Sequence, residues 1–283
     1  MKLVRYGQPG KEKPGLIDSA GKIRDISSIV PDLAGDYLGP EHIAKIAAAK
    51  VDQLPLVEGT PRLGPCVAKP GNFIAIGLNY SDHAAETGAK IPAEPILFNK
   101  APNSICGPND DIMFPRDSVK LDWEAEIAFV IGKTASYVSE ADAPQHIAGY
   151  FICNDVSERE FQIERTGQWT KGKSAPTFGP IGPWLVTPDE IKDVGALALW
   201  LDVNGARQQS GNTKNLIFGI NTIVSFVSRF MTLDPGDIIT TGTPAGVALG
   251  RKPPNWLKAG DVITLGIDGL GQQTSRVVAF KGA

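Results

Sequence analysis

The clearest pattern along the chain is a two-residue alternation over residues 121–132. Leu121, Trp123, Ala125, Ile127, Phe129 and Ile131 fall on one side of a strand with that period, and Asp122, Glu124, Glu126, Ala128 and Val130 on the other. The second side opens acidic and turns apolar. A solvated face would stay polar along its length, so the pattern predicts a half-buried face with carboxylates at the mouth of a cleft. Taken alone, a Glu-x-Glu pair also describes a solvated strand end. Other apolar runs frame this one. Residues 73–78 predict a strand ending at Asn79, followed by a short helix over Tyr80–Glu86 closed by Gly88. Residues 147–153 predict a strand ending in Asn154 and Asp155, and residues 157–165 carry a helical pattern. Residues 197–203 predict a strand turned by Asn204 and Gly205. Ile220, Ile223, Val224, Val227 and Phe230 recur at helical spacing within 219–231. Further strands are predicted at 237–241, 262–267 and 274–280, the last two joined through Asp268 and Gly269.

Strands outnumber helices, and the helices are not regularly interleaved. That pattern argues against a doubly wound fold and for a β-dominated α+β domain. Residues 1–65 predict a small N-terminal domain, with short strands at 2–6, 15–18 and 22–25 and a helix at 41–50 behind Pro40. Residues 66–283 predict a larger domain holding the chemistry. Hydrophobic residues at 42% and charged residues at 21% provide for a sizeable core in a soluble protein. The 31 glycines and 22 prolines, spread along the whole chain, suit many short strands better than a helix bundle. A formal net charge of −3 gives no electrostatic case for a nucleic-acid partner. No run of about 18 apolar residues predicts a membrane span, and the N-terminus lacks a signal peptide's apolar core. Cys66, Cys106 and Cys153 are too scattered for a disulfide framework or a thiolate zinc site, which points to a reducing cytoplasm.

Four groups of residues could carry chemistry. Gly167–Ser174 spells the phosphate-binding loop pattern, but that loop needs a buried strand before it and a helix after it. Here a polar segment precedes, and Pro176, Pro180 and Pro183 follow, so the pattern is a coincidence. Glu124, Glu126 and Asp155 converge if the two strands pair, and an all-oxygen set suits Mg²⁺, Mn²⁺ or Ca²⁺. His83 and Glu86 share a helix face three residues apart, the arrangement of a general base and its orienting carboxylate, or of a plain surface pair. Lys173 is either solvated or places one positive charge over an anionic substrate.

Taken together, these residues resemble the fumarylacetoacetate hydrolase family. Asn79–Glu86, Leu121–Glu126, Asn154–Gln162, Gly172–Ser174 with Thr177–Pro183, and Thr241–Val247 are similar to its motifs and occur in family order. The resemblance implies a mixed β-roll, a homodimer or homotetramer, and one Mg²⁺ or Mn²⁺ per subunit. It implies Glu124, Glu126 and Asp155 as metal ligands, His83 and Glu86 as the water-activating dyad, and Lys173 as an electrostatic partner of the substrate. Arg159, Gln162 and Thr243 would stand on the substrate side. The founding hydrolase has a fourth carboxylate ligand before its histidine. Asp82, directly before His83, does not align with it, so water would complete the shell.

The implied reaction is hydrolysis of the C3–C4 bond of a 2,4-dioxo acid to pyruvate and a second acid. The full-length pattern resembles bacterial hydrolases of 2,4-diketo-3-deoxy sugar acids of the L-rhamnonate or L-fuconate type, which release lactate. Polar residues near the motifs (Thr166, Gln168, Thr170, Arg207, Gln208, Gln209 and Ser210) are candidates to bind a hydroxylated tail. Acylpyruvate hydrolases, oxaloacetate decarboxylases and ureidoglycolate lyases of the same family share the metal site. A non-catalytic member binding 2-oxo acids is the reading from another class.

Overall fold

The N-terminal strands Lys2–Tyr6 (β1), Lys13–Ile17 (β2) and Ile23–Asp25 (β3) precede a helix over Pro40–Ala47 (α1). The computed structural model describes residues 1–280. Phe73–Gly77 (β4) leads into Ser81–Thr87 (α2), which ends on Gly88 in the left-handed conformation. Ile96–Lys100 (β5), Ile105–Cys106 (β6), Ile112–Met113 (β7), Leu121–Asp122 (β8), Ala125–Ile131 (β9), Ile147–Asn154 (β10) and Ser157–Glu158 (β11) follow. Then come Thr170–Lys173 (α3), Gly179–Val186 (β12), Ala198–Val203 (β13) and Ala206–Asn212 (β14). Ile220–Val227 (α4), Ile238–Thr240 (β15), Val262–Ile267 (β16) and Gly271–Val278 (β17) complete the described chain. The fold is mixed α+β and strand-dominated, as the interleaving of apolar runs and turns predicts.

One sheet runs β3-β2-β1-β12-β10-β9-β15-β4-β5, with β6 beside β12. A second runs β14-β13-β16-β17-β7, and β8 pairs only with β11. β9 lies inside the large sheet, antiparallel to both β10 and β15. Its alternation divides two cores. Ala125, Ile127, Phe129 and Ile131 pack with Leu201 and Leu265 of the second sheet. Ala128 and Val130 pack with Leu3, Leu38, Phe151 and Ile238. The half-buried face expected for this strand is therefore buried throughout. The segment 1–65 covers it, joined to the large sheet by β1 through Leu3↔Leu185.

Two local differences from the expected elements bear on the site. The run 121–132 is two strands, interrupted at Trp123 and Glu124. There the Glu124 amide donates to Asn154 Oδ1 (3.1 Å), and the Asp155 amide donates to the Glu124 carbonyl (2.9 Å). The helical pattern at 157–165 yields the short strand β11 and a π-helical turn over Glu160–Glu164. Buried Glu158 explains the change: its carboxylate accepts from the Lys120 amide (2.7 Å) and the Phe161 amide (2.7 Å), which ties residue 158 to the strand before β9.

Candidate active site

The start of β9 and the end of β10 bring three carboxylates together. β10 pairs with β9 through Cys153↔Glu126 and Asn154↔Ala125, so Asp155 emerges beside Glu124 and Glu126. One oxygen from each of the three lies within 4.8 Å of the others, and all three side chains are buried. Glu124 Oε1 accepts from Arg159 Nη2 at 2.6 Å, and Glu124 Oε2 from Lys173 Nζ at 2.5 Å. Lys173 Nζ also donates to Asp155 Oδ2 at 2.8 Å. Asp155 Oδ1 accepts no aligned hydrogen bond, although Lys100 Nζ lies 2.6 Å from it. Glu126 Oε2 accepts from the Thr240 hydroxyl and from the Gly242 amide (2.8 Å). Behind them, fully buried Asp122 accepts from Arg159 Nε (2.9 Å) and from the Ala248 (2.7 Å) and Leu249 (3.1 Å) amides.

The electrostatics of this cluster are unequal. Burial pushes the Glu124 carboxyl up, but the Arg159 and Lys173 charges overcome it and hold the group well below the usual carboxylate range. Glu126 goes the other way: burial, then the neighbouring Asp155 and Glu124 charges, raise it well above its ordinary value. Four buried carboxylates (122, 124, 126 and 155) face three buried cations (Lys100, Arg159 and Lys173). Glu126, the member raised by its neighbours' charges, has no ion pair of its own among the described residues, whereas Glu124 and Asp155 each have two. Hard anionic oxygens in this state are a donor set suited to a divalent cation such as Mg²⁺ or Mn²⁺.

α2 brings the second group. His83 Nδ1 lies 3.2 Å from Glu86 Oε2, so Nε2 is the ring nitrogen left for other partners. Glu86 is held in turn by the Gly246 amide, at 3.0 and 3.2 Å from its two oxygens. Buried Asn79 fixes the entry to this helix, donating to the Thr241 (2.8 Å) and Phe218 (3.0 Å) carbonyls. Asp82 turns away from the carboxylates, accepting from the His83 amide (2.8 Å) and Asn215 Nδ2 (3.2 Å). α3 carries Lys173 at its end, close to β11. At Gly172 an added Cβ would stand 2.4 Å from the Glu158 carbonyl oxygen, so only glycine permits that approach.

A cavity of about 250 Å³ opens onto these groups. It is lined by His83, Glu124, Glu126, Asp155 and Lys173, and also by Arg159, Gln162 and Thr243. Glu86 supports His83 from outside the lining. Arg159 is engaged by Asp122, Glu124 and Gln162, and Thr243 by Gln209 and the Ala125 carbonyl. The polar segments expected to meet a hydroxylated tail do not line this cavity. Gln209 is buried elsewhere, accepting from the Ala125 amide at 2.9 Å and bracing β9. Arg207 pairs with Asp202, and Thr170 donates to the Asn99 carbonyl at 3.1 Å. Thr166 and Gln168 are exposed on the loop. Sequence reasoning also missed Lys100, whose burial no motif announces, and the partners of Asp122, which are Arg159 and the 248–249 amides.

Comparison with known proteins agrees with this geometry. The family profile described as Fumarylacetoacetate (FAA) hydrolase C-terminal matches residues 72–278. A Burkholderia multivorans protein provisionally named a hydrolase is 57% identical over 274 residues, 96% of this chain and 97% of its own. The solved fumarylacetoacetate hydrolase of Exiguobacterium antarcticum is 37% identical, with a TM-score of 0.84 over 99% of this chain and 100% of that one. The maleylpyruvate hydrolase of Sphingobium sp. SYK-6, solved with manganese(II) and pyruvate, is 27% identical, with a TM-score of 0.81 over 99% and 100% of the two chains.

Proposed function

The chain belongs to the fumarylacetoacetate hydrolase family, and from that premise we propose that it hydrolyses the C3–C4 bond of a 2,4-dioxo acid. The observation that carries this reading is one cavity bordered by both the three-carboxylate cluster and His83, with Glu86 behind the imidazole. A divalent cation held by Glu124, Glu126 and Asp155 would fix the substrate's carboxylate and 2-oxo oxygens and stabilise the negative charge that develops on them.

The chain's own residues supply the rest. Glu86, anchored by the Gly246 amide, orients His83. His83 takes a proton from a water that adds to C4. The C3–C4 bond breaks, its electron pair stays on C3, and C3 takes up a proton. The products are pyruvate and the carboxylic acid of the C4 side, so one water is consumed and the atoms balance. General base catalysis of this kind supplies about 10²–10⁴-fold. Lys173 holds its charge beside the anionic head of the substrate, and Arg159 keeps Glu124 ionised and aimed. Gln162 and Thr243 border the same space.

The test is pyruvate release from a panel of 2,4-dioxo acids with Mg²⁺ or Mn²⁺. A second acid formed one-for-one with pyruvate supports hydrolysis. CO₂ from oxaloacetate without that activity would mark a decarboxylase, and glyoxylate with urea from ureidoglycolate a lyase. Lactate formed with pyruvate from a 2,4-diketo-3-deoxy sugar acid would support the rhamnonate or fuconate assignment.

A further inference from the structure

The carboxylate cluster borders the cavity, and apart from His83, Thr87, Gln162 and Thr243 the uncharged side chains of the lining are apolar. From Lys173 the lining runs outward through aromatic rings. Lys173 Nζ stands 5.1 Å from the centroid of Phe98, whose ring meets Trp169 edge-on at 5.2 Å. The indole lies directly on the end of β4. A Cβ added at Gly77 would come within 2.3 Å of the Trp169 ring, so the glycine there makes room for the tryptophan. Leu78, Ile96, Ile163 and Leu249 are further apolar residues of the lining, and Ile163 is 47% exposed. The cationic lining side chains besides His83 are Arg159 and Lys173, and each already faces two carboxylates.

We propose that this wall selects 2,4-dioxo acids whose C4 substituent is an uncharged apolar chain, and disfavours tails ending in a carboxylate or bearing several hydroxyls. The proposal rests on the dioxo-acid hydrolase reading above. A tail carboxylate would be desolvated against Trp169 and Phe98 with no uncommitted cation among the described lining residues, which is a heavy penalty. A polyol would leave most of its hydroxyls unpaired on the same surface. An alkyl tail exchanges water for ring and aliphatic contacts, at about 0.8 kcal/mol, or roughly fourfold, per methylene buried.

The experiment compares kcat/KM for acetylpyruvate, pentanoylpyruvate, succinylpyruvate and a 2,4-diketo-3-deoxy hexonate at saturating Mg²⁺. Pentanoylpyruvate exceeds acetylpyruvate by at least about tenfold, corresponding to two or more buried methylenes. Succinylpyruvate, of similar length but charged at its end, falls at least about tenfold below pentanoylpyruvate. Trp169→Ala brings the pentanoyl-to-acetyl ratio towards one, a ratio that a general loss of activity does not alter, and an unchanged ratio overturns the role of the wall. Ile163→Arg, a change at an exposed residue that spares the fold, raises succinylpyruvate relative to pentanoylpyruvate. Succinylpyruvate or the hexonate matching pentanoylpyruvate in the unmodified protein overturns the proposal and leaves hydrolysis standing. Pyruvate from none of the four substrates overturns the hydrolase reading itself.

Discussion

Replacing Gly250 by alanine probes the support of His83 without substituting His83, Glu86 or a carboxylate of the cluster. Gly250 ends the single turn Ala248–Gly250, and its backbone is outside the left-handed region, so alanine fits without strain. Its added Cβ would sit 2.4 Å from Glu86 Cδ and 2.6 Å from Oε2. Carbon–carbon contact needs about 3.5 Å, so the carboxyl must retreat by roughly 1 Å. The His83–Glu86 contact is 3.2 Å long, and a displacement of that size is enough to spoil its distance and alignment. The imidazole then loses its orienting partner. We expect kcat for pyruvate release to fall about 10- to 100-fold, roughly 1.4–2.7 kcal/mol of transition-state stabilisation. KM and thermal stability should stay close to those of the unmodified protein, because the clash involves a movable side-chain end. Glu86→Gln should show a similar loss, and the double variant little more than either, since all three act on one interaction. Unchanged kcat in folded Gly250→Ala, or additive losses in the double variant, would refute the dyad.

Exhaustive chelation should abolish pyruvate release and Mg²⁺ or Mn²⁺ should restore it, whereas Glu126→Gln should resist restoration; full activity after chelation would remove the metal from the reaction. Lys100→Met strips an ammonium from beside buried Asp155 and should lower stability in urea by about 3–5 kcal/mol; a loss under about 1 kcal/mol would mean that Lys173 alone neutralises Asp155. Deleting residues 1–65 should leave an aggregating remainder, because Phe151, Leu185 and Ile238 lose their cover; a soluble, cooperatively melting 66–283 fragment would instead establish an independent N-terminal domain.

Much of the placement of the candidate site was legible because it follows local rules. The period-two run at 121–132 set both sides of β9, the three-residue spacing of His83 and Glu86 set their shared helix face, and Asn204–Gly205 marked the hairpin. The wall of the cavity obeys no such rule. Ile76, Ile96 and Leu249 look like ordinary core residues in the sequence, and only the folded chain turns them toward a space. The partners of Lys100 and Asp122 were hidden for a related reason: Asp155 and the 248–249 amides lie 55 and 126 positions away in the chain. Polar residues at 207–210 misled because sequence polarity does not say which cavity a side chain faces. Gln209 spends its polarity on the backbone of Ala125.

The burial of the carboxylate cluster also sets an order of traffic. Glu124, Glu126 and Asp155 are closed off by sheet and core, and they meet open space at the cavity that would admit the substrate. On the proposed reading, a cation and an organic acid would share this doorway. The cation would have to arrive first and depart last, with each bound acid acting as a stopper behind it. Such a site would hold its metal more persistently in the presence of a slow product or an unreactive 2-oxo acid than its equilibrium affinity alone implies. Chelators would then strip the resting protein faster than the working one.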